Sequence, residues 1–219
     1  MERPEILNKI IEKKGYTKYL EIGIDDPELC FNHVKCEKKI GIDPYNDKLG
    51  THIWNKKNLK KIKESIEVSD SSQWFEMTSD EFFQKRRDKF DIIFIDGLHM
   101  EDQVDKDIEN SLKRLRKGGL IVLHDTHPQA EAVQSASPVS GTPWMGQVYR
   151  SFWKLRMQRD DLDLCTVFEH TGFSFIRPGK NVKYEKPNFK GNMSFMYYKL
   201  HKKEIMNVIS LNKFFDLWL

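Results

Sequence analysis

The chain has 219 residues, 39% hydrophobic and 32% charged, which is typical of a soluble globular protein of one domain. Its 36 basic and 33 acidic residues leave a formal charge of +3, too balanced to indicate a nucleic-acid-binding protein. We find no run long and apolar enough to cross a membrane and no signal peptide, so we expect a cytoplasmic protein whose cysteines, Cys30, Cys36 and Cys165, stay reduced.

Four strands in a βα rhythm are predicted between residues 18 and 125. Each apolar run suits a buried strand of a parallel sheet, and the polar residues that follow it mark the point where the strand surfaces. The runs are YTKYLEIGI, CEKKIGIDPY, DIIFID and LIVLHD. This rhythm predicts a right-handed, doubly wound sheet with ligands at the carboxyl ends of its strands.

Helices are predicted between these strands. Val104, Ile108, Leu112 and Leu115 recur at helical spacing, and we expect Gly118-Gly119 to end that helix. A weaker run, Trp74 to Met77, suits a further strand, and the helix behind it would begin with Ser79 or Asp80 as its cap.

The remainder of the chain is less regular. Residues 127–147 read as a long loop of the size usual for lids or binding segments, and residues 148–160 read as a helix. The sequence DLCTVFEHTGFSFIRPG predicts a β-hairpin through His170-Thr171-Gly172, which would supply the last, antiparallel strands. The tail ends in FFDLWL, which is too apolar to be left in water and is expected to pack on the body or on a partner.

Gly23 and Asp43 are the first candidates for ligand binding. A glycine after the first strand lets the backbone approach a ligand, and a carboxylate ending the second strand can accept hydrogen bonds from a ribose diol. A plain βα turn with a surface aspartate explains the pair equally well. Without the second and third glycines of G-x-G-x-x-G, a dinucleotide site is disfavoured, whereas S-adenosylmethionine has no phosphate and does not need them.

Four titratable residues follow the third and fourth of these strands. They are Asp96, His99, His124 and Asp125. Alone, Asp96 is better explained as a helix cap and His99 as a surface residue. However, two neighbouring strands would bring two carboxylates and two imidazoles to one sheet edge. Such groups suit proton transfer or a Mg²⁺ site. Trp144 is either a stacking surface for a sugar ring or an anchor of its loop.

Several motifs together resemble one family. The sequences YLEIG, IGIDP, MTSDEFF, FDIIFIDGLHMEDQVDKDIENSLKRLRKGGLIVLHD and PWMGQVYRSFWKLR look like those of class I S-adenosylmethionine-dependent methyltransferases, in the small branch with FIDGxH and HD signatures. The resemblance spans about residues 16 to 177. It implies one methyltransferase domain over residues 1–219, with residues 178–219 as an extension. It also implies an α/β, Rossmann-like, doubly wound and mostly parallel seven-stranded sheet with a terminal antiparallel hairpin.

The resemblance also implies roles for individual residues. Glu21 and Gly23 would lie against the methionine end of the cofactor, Asp43 would hold the ribose, and Thr78 and Ser79 would touch adenine. One departure stands out, since Asp25 occupies the position where most members have a second glycine, which puts the cofactor affinity in doubt. His99 would be the general base, and Asp96 would lie beside both the cofactor and the reacting group. Asp96 and Asp125 would be ligands of Mg²⁺ or Mn²⁺. The expected substrate contacts are His124, Asp125 and Trp144.

The expected activity is transfer of a methyl group to a hydroxyl of a sugar or glycan, because relatives in this branch act on sugars. The alternatives are methylation of a phenol or a lipid-linked intermediate, and a non-catalytic adenosyl-binding interaction module. A nicotinamide oxidoreductase is a third class, which the missing glycines disfavour. Linkage to glycosyltransferase domains and assembly into a homo-oligomer are further expectations of the same resemblance.

Overall fold

The computed structural model describes residues 1–45, 56–138, 143–185 and 193–219. The strands are β1 (Lys18–Ile22), β2 (Lys38–Ile42), β3 (Ser72–Phe75), β4 (Phe90–Ile95), β5 (Leu115–Leu123), β6 (Leu162–Val167) and β7 (Phe173–Pro178). The helices are α1 (Arg3–Lys14), α2 (Lys56–Ser65), α3 (Ser79–Lys85), α4 (Glu101–Arg114), α5 (Val148–Gln158), α6 (Phe195–Ile205) and α7 (Leu211–Trp218). Three short 3₁₀ turns complete the described elements.

The strands form one seven-stranded sheet in the order β3-β2-β1-β4-β5-β7-β6. β1 pairs in parallel with both β2 and β4, and β2 pairs in parallel with β3. β7 runs antiparallel to both of its neighbours. The predicted α/β fold, with a mostly parallel sheet and a terminal antiparallel hairpin, is therefore confirmed. Five strands, not four, lie between residues 18 and 125, because the weaker run contributes β3.

The described chain divides into two compact units. The first comprises residues 1–98 and 106–119, and the second comprises residues 99–105 and 120–219. Each is described by itself below. The single-domain organisation inferred from the sequence stays a prediction.

The core of the first unit is the strand pair β1 and β4. Tyr19 and Leu20 of β1, and Ile92, Ile93 and Phe94 of β4, have no solvent exposure. A strand buried on both faces needs such a continuous apolar run, and each large side chain removed from water stabilises the fold by about 1.5 to 3 kcal/mol. Functional side chains are therefore expected at the first polar residues after these buried strands.

Helix α3 begins one residue earlier than predicted. Its cap is Thr78, whose hydroxyl accepts a hydrogen bond from the Glu81 amide at 3.2 Å, while the Glu81 carboxylate accepts one from the Thr78 amide at 3.0 Å. The predicted caps, Ser79 and Asp80, were wrong because this reciprocal pair satisfies two amide groups at once.

Helix α4 ends at Arg114, so the prediction that Gly118-Gly119 terminates it was wrong. Both glycines lie inside β5. Gly118 has a φ of +78°, and a Cβ on Gly119 would lie 2.8 Å from the backbone oxygen of Asp91. A close approach between two backbones, not a helix end, therefore requires a residue without a side chain at position 119.

The second unit is built around β5, β7 and β6. Ile121, Val122 and Leu123 pair with β7 across an antiparallel ladder, and the β6–β7 hairpin turns between Val167 and Phe173, as predicted. In the C-terminal extension, the Phe214 ring stacks on Phe175 of β7 at 3.8 Å between ring centroids. The Arg177 guanidinium lies 4.0 Å from the centre of the Trp218 ring. The apolar end of the chain thus packs against β7.

Among the described residues, no helix combines the length and the apolar composition that a bilayer-spanning segment needs.

Candidate functional site

The first loop of the sheet brings two backbones close together at Gly23. This residue has a φ of +87°, and its amide donates to the Ile42 carbonyl at 2.9 Å. A Cβ here would lie 2.2 Å from the backbone oxygen of Asp96 and 2.6 Å from the Cα of Gly97. Only glycine fits this conformation and this space, because the backbone of Asp96 and Gly97 lies against position 23. The predicted approach of a ligand to Gly23 stays a prediction.

Asp43 holds that loop in place. Its Oδ2 accepts hydrogen bonds from the amides of Ile24 at 3.0 Å and Asp25 at 3.1 Å, and its Oδ1 accepts one from the Tyr45 amide at 2.7 Å. The carboxylate is 4% exposed. Three amide donors favour its charged form and fix its orientation. Whether Asp43 also binds a ribose diol stays a prediction.

Asp25 has the backbone conformation that a glycine would take. Its φ is +48°, in the left-handed region, which aspartate tolerates better than most residues. Its amide donates to Asp43, which stabilises this conformation. The departure from the family pattern therefore changes the side chain and leaves the path of the loop as a glycine would make it.

Glu21 lies at the end of β1 and is almost completely buried. It accepts a hydrogen bond from the Tyr19 hydroxyl, and the Cys30 thiol lies beside the same hydroxyl at 3.9 Å. Desolvation by burial raises the pKa of Glu21 to about 8, and the negative charge of Asp96 raises it further, against the opposing effects of Tyr19, Cys30 and Arg3. Near neutral pH this carboxyl group is therefore largely protonated.

This burial predicts a dependence of stability on pH. Between the unfolded-state pKa of 4.5 and the folded-state value of about 8, the folded chain binds the extra proton, so the free energy of unfolding falls as pH rises through this window. We expect Glu21→Gln to reduce that fall by about 3 kcal/mol. Chemical denaturation between pH 5 and pH 8 would measure it, with Glu12→Gln on the exposed face of α1 as control. An unchanged slope in Glu21→Gln would show that Glu21 titrates normally.

Asp96 follows β4 and pairs with a residue of α1. The Arg3 Nη1 lies 3.0 Å from the Asp96 Oδ2, and the two side chains are 33% and 9% exposed. The Asp96 amide donates to the Ile22 carbonyl at 2.8 Å, which ties this position to the end of β1. The carboxyl groups of Glu21 and Asp96 therefore lie at the carboxyl ends of two adjacent strands, with the Arg3 guanidinium beside Asp96.

Thr78 and Ser79 have structural hydrogen bonds. Thr78 caps α3 through Glu81, as described above. The Ser79 hydroxyl donates to the Asp107 carboxylate at 2.6 Å, and both residues are buried. The predicted contact of these two residues with adenine stays a prediction.

His99 lies between two acceptors in the second unit. Its Nε2 is 3.4 Å from the Asp125 Oδ2, and its Nδ1 is 3.0 Å from the Trp144 carbonyl oxygen. Both side chains of the His99–Asp125 pair are more than four-fifths buried. An imidazolium can donate to both acceptors at once, so this arrangement stabilises the charge that His99 acquires when it takes a proton.

His124 and Thr171 extend this group on the other side of Asp125. The His124 Nδ1 lies 3.4 Å from the Asp125 Oδ1, and its Nε2 lies 3.1 Å from the Thr171 hydroxyl. Asp125 itself has a φ of +55°, a conformation uncommon outside glycine. The structure thus places three of the predicted residues, His99, His124 and Asp125, in one group of neighbouring side chains, which we call the His–Asp–His group.

The loop before α5 lies in close contact with the backbone of His99. Gly146 has a φ of +57°, and a Cβ there would lie 2.2 Å from the His99 oxygen. The Gln147 amide donates to the same oxygen at 2.8 Å. The Trp144 ring lies 5.3 Å from the His99 ring, and its Nε1 donates to the Ser135 carbonyl at 2.9 Å. Trp144 therefore anchors its loop and flanks the candidate base, so both of its predicted roles are compatible with its contacts.

The predicted metal ligands were tested against their own contacts. Asp96 and Asp125 each carry carboxylate oxygens of the kind that divalent ions bind. However, Asp96 is paired with the Arg3 guanidinium, which a divalent ion would have to displace. The described surroundings of Asp96 therefore do not fit a resident metal ion, and metal binding at Asp125 stays a prediction.

Sequence reasoning missed Arg3, Tyr19, Cys30 and Thr171. The position of Thr171 could have been predicted. When β7 lies antiparallel between β5 and β6, the carboxyl ends of β5 and β6 lie at the same edge of the sheet. The β6–β7 turn must then lie near Asp125. The position of Arg3 could not have been predicted, since the position of a helix outside the βα rhythm cannot be read from local pattern.

Comparison with known protein families gives a match over the middle of the chain. Residues 29–126 match the family model of a methyltransferase domain. No curated protein sequence gives a significant match. Residues 29–126 contain Asp43, Asp96, His99, His124 and Asp125.

Three solved structures illustrate the likeness of the fold. The methyltransferase PaMTH1 of Podospora anserina, bound to S-adenosylhomocysteine, has 14% identity and a TM-score of 0.57, over 80% of this chain and 76% of its own. The O-methyltransferase TomG of Streptomyces achromogenes, in complex with S-adenosylmethionine, has 16% identity and a TM-score of 0.55, over 80% and 79%. An O-methyltransferase of Bacillus cereus, in complex with S-adenosylhomocysteine, has 15% identity and a TM-score of 0.51, over 80% and 78%. At these identities the likeness shows a shared fold.

Proposed function

We propose that this chain, a class I S-adenosylmethionine-dependent methyltransferase by its fold and its central domain, methylates a hydroxyl oxygen of a sugar or glycan. The observation that carries the proposal is the His99–Asp125 pair, because an acceptor hydroxyl needs a base and few side chains serve that role near neutral pH. TomG and the Bacillus cereus protein, both named as O-methyltransferases, support an oxygen acceptor.

The cofactor would be held by residues of the first unit. Gly23 lets the first loop lie against the backbone of Asp96 and Gly97, Asp43 fixes this loop, and Glu21 and Asp96 provide carboxyl groups next to it. These features fit a ligand that carries an ammonium group and a ribose diol. S-adenosylmethionine supplies the methyl group, which reacts by in-line displacement at its sulfonium.

The second unit would receive the acceptor and its proton. His99 accepts the proton of the acceptor hydroxyl at Nε2, and Asp125 stabilises the resulting imidazolium. The Trp144 carbonyl accepts a hydrogen bond from Nδ1 and so fixes the ring orientation and the tautomer that has its lone pair on Nε2. His124, held by Thr171, would keep the Asp125 carboxylate in position.

The sugar acceptor rests on the sequence resemblance and on Trp144. An aromatic ring beside the base suits stacking on the apolar face of a sugar, and the separation of 5.3 Å between the rings of His99 and Trp144 supports contact of both with one acceptor. A phenol or a lipid-linked intermediate is the alternative acceptor, because a tryptophan also stacks on an aromatic ring.

Two measurements test this proposal. Calorimetric titration of S-adenosylhomocysteine into the purified chain should show micromolar binding. Transfer of a labelled methyl group from S-adenosylmethionine should then be followed with a panel of free sugars, nucleotide-linked sugars and catechols, in the presence of a chelator. Transfer to a sugar hydroxyl supports the proposal, transfer only to catechols replaces the acceptor, and binding without transfer to any acceptor favours a non-catalytic adenosyl-binding module.

A further inference from the structure

The carboxylate of Asp96 already has a cation within the chain. The Arg3 guanidinium lies 3.0 Å from the Asp96 Oδ2, at normal ion-pair distance, and Asp96 is 9% exposed. An ion pair shielded from water in this way is screened less than one at the surface. The position at which the sequence predicts a divalent ion is thus occupied by a fixed monovalent cation.

Arg3 is held in this position by the structure of α1. It is the first residue of the helix, and the helix start is fixed by a reciprocal pair of hydrogen bonds between Glu2 and Glu5. Ile6, Leu7 and Ile10 on the inner face of α1 have no solvent exposure and anchor the helix. The Arg3 side chain therefore extends from a rigid element and not from a mobile end.

The charges around this pair also disfavour a second cation. A divalent ion bound at Asp96 would lie close to the Arg3 guanidinium, and the two like charges would repel each other.

We infer that Arg3 is the resident cation of Asp96 and keeps divalent metal ions from binding there. Asp96 then acts as an oriented hydrogen-bond acceptor, and Arg3 is the residue that positions it. This inference refines the proposed function, because the sequence left open whether Asp96 and Asp125 bind a metal ion or the acceptor diol. The consequence is a methyl transfer that needs no divalent ion.

Binding of Mn²⁺, measured by the loss of the electron paramagnetic resonance signal of the free ion, tests this inference without using activity. Up to about millimolar Mn²⁺, the wild-type chain should bind no more Mn²⁺ than the Asp96→Asn variant does. Arg3→Gln should gain at least about tenfold in Mn²⁺ affinity, and the double variant Arg3→Gln with Asp96→Asn should lose that gain. Arg3→Lys keeps the positive charge and should behave as the wild type does.

The matched control is Lys13→Gln, which removes one positive charge from an exposed position on the same helix. It should leave Mn²⁺ binding unchanged, which separates the Arg3 contact from the net charge. Asp96-dependent Mn²⁺ binding by the wild type, or no gain in a folded Arg3→Gln, would overturn the inference. Neither result depends on methyl transfer, so failure of the proposed function appears separately, as absent S-adenosylhomocysteine binding or absent transfer.

Discussion

His99→Ala should lower the turnover of methyl transfer by roughly a hundredfold or more while leaving the affinity for S-adenosylhomocysteine within about threefold of the wild type. Removal of the imidazole takes away the group that accepts the hydroxyl proton, and Asp125 cannot replace it because a carboxylate is a weaker base. His99 is not among the residues proposed to hold the cofactor, so the cofactor affinity should not change. Turnover is measured with labelled methyl groups, and affinity by calorimetry.

The matched control is His33→Ala. His33 is exposed and lies beside Glu28 at 3.3 Å, with no place in the His–Asp–His group. It should retain wild-type turnover. A His99→Ala variant that turns over at near the wild-type rate would remove His99 from the mechanism, whatever the acceptor proves to be. His99→Gln, which keeps a polar side chain but no base, should be as slow as His99→Ala.

Gly23→Ala should abolish measurable binding of S-adenosylhomocysteine and lower the free energy of unfolding by about 2 to 4 kcal/mol. The added methyl group would lie 2.2 Å from the Asp96 carbonyl oxygen, and a backbone atom cannot rotate away as a side chain can. The left-handed conformation at φ +87° contributes a further penalty of about 1 kcal/mol. Calorimetry and chemical denaturation measure the two effects.

Gly15→Ala separates the clash from the backbone conformation. Gly15 ends α1 with a φ of +62°, and a Cβ there would meet no atom within 4 Å. It should lose only about 1 kcal/mol of stability and retain cofactor binding. If Gly23→Ala were as stable as Gly15→Ala and bound the cofactor normally, the close approach of the first loop to Asp96 would have no functional importance.

Much of the sheet could be predicted because buried parallel strands consist of continuous apolar residues. The runs at β1, β2, β4 and β5 have no other reasonable interpretation, and their polar ends locate Asp43, Asp96 and Asp125. The hairpin could be predicted from the glycine in its turn and from the alternating residue pattern of its two strands. The predicted helix ends were wrong by one to four residues. Neighbouring residues suit a helix end as well as Thr78 at the start of α3 or Arg114 at the end of α4.

The cofactor and acceptor residues were less predictable, because their contacts depend on elements distant in the chain. The pattern around Asp43 does not show that its carboxylate is bound by three backbone amides. The pairing of Arg3 with Asp96 joins residues 93 positions apart, 96 − 3 = 93, and no local rule of spacing connects them. The His99–Trp144 contact depends on the path of a long loop, which sequence pattern does not determine.

The left-handed backbone of Asp25 means that a glycine would fit at the same position. Aspartate and glycine codons differ by one base, and the backbone at position 25 already has the conformation that glycine adopts freely. A glycine at position 25 would therefore keep the path of the backbone, and the change would remove one carboxylate from the loop that Asp43 holds.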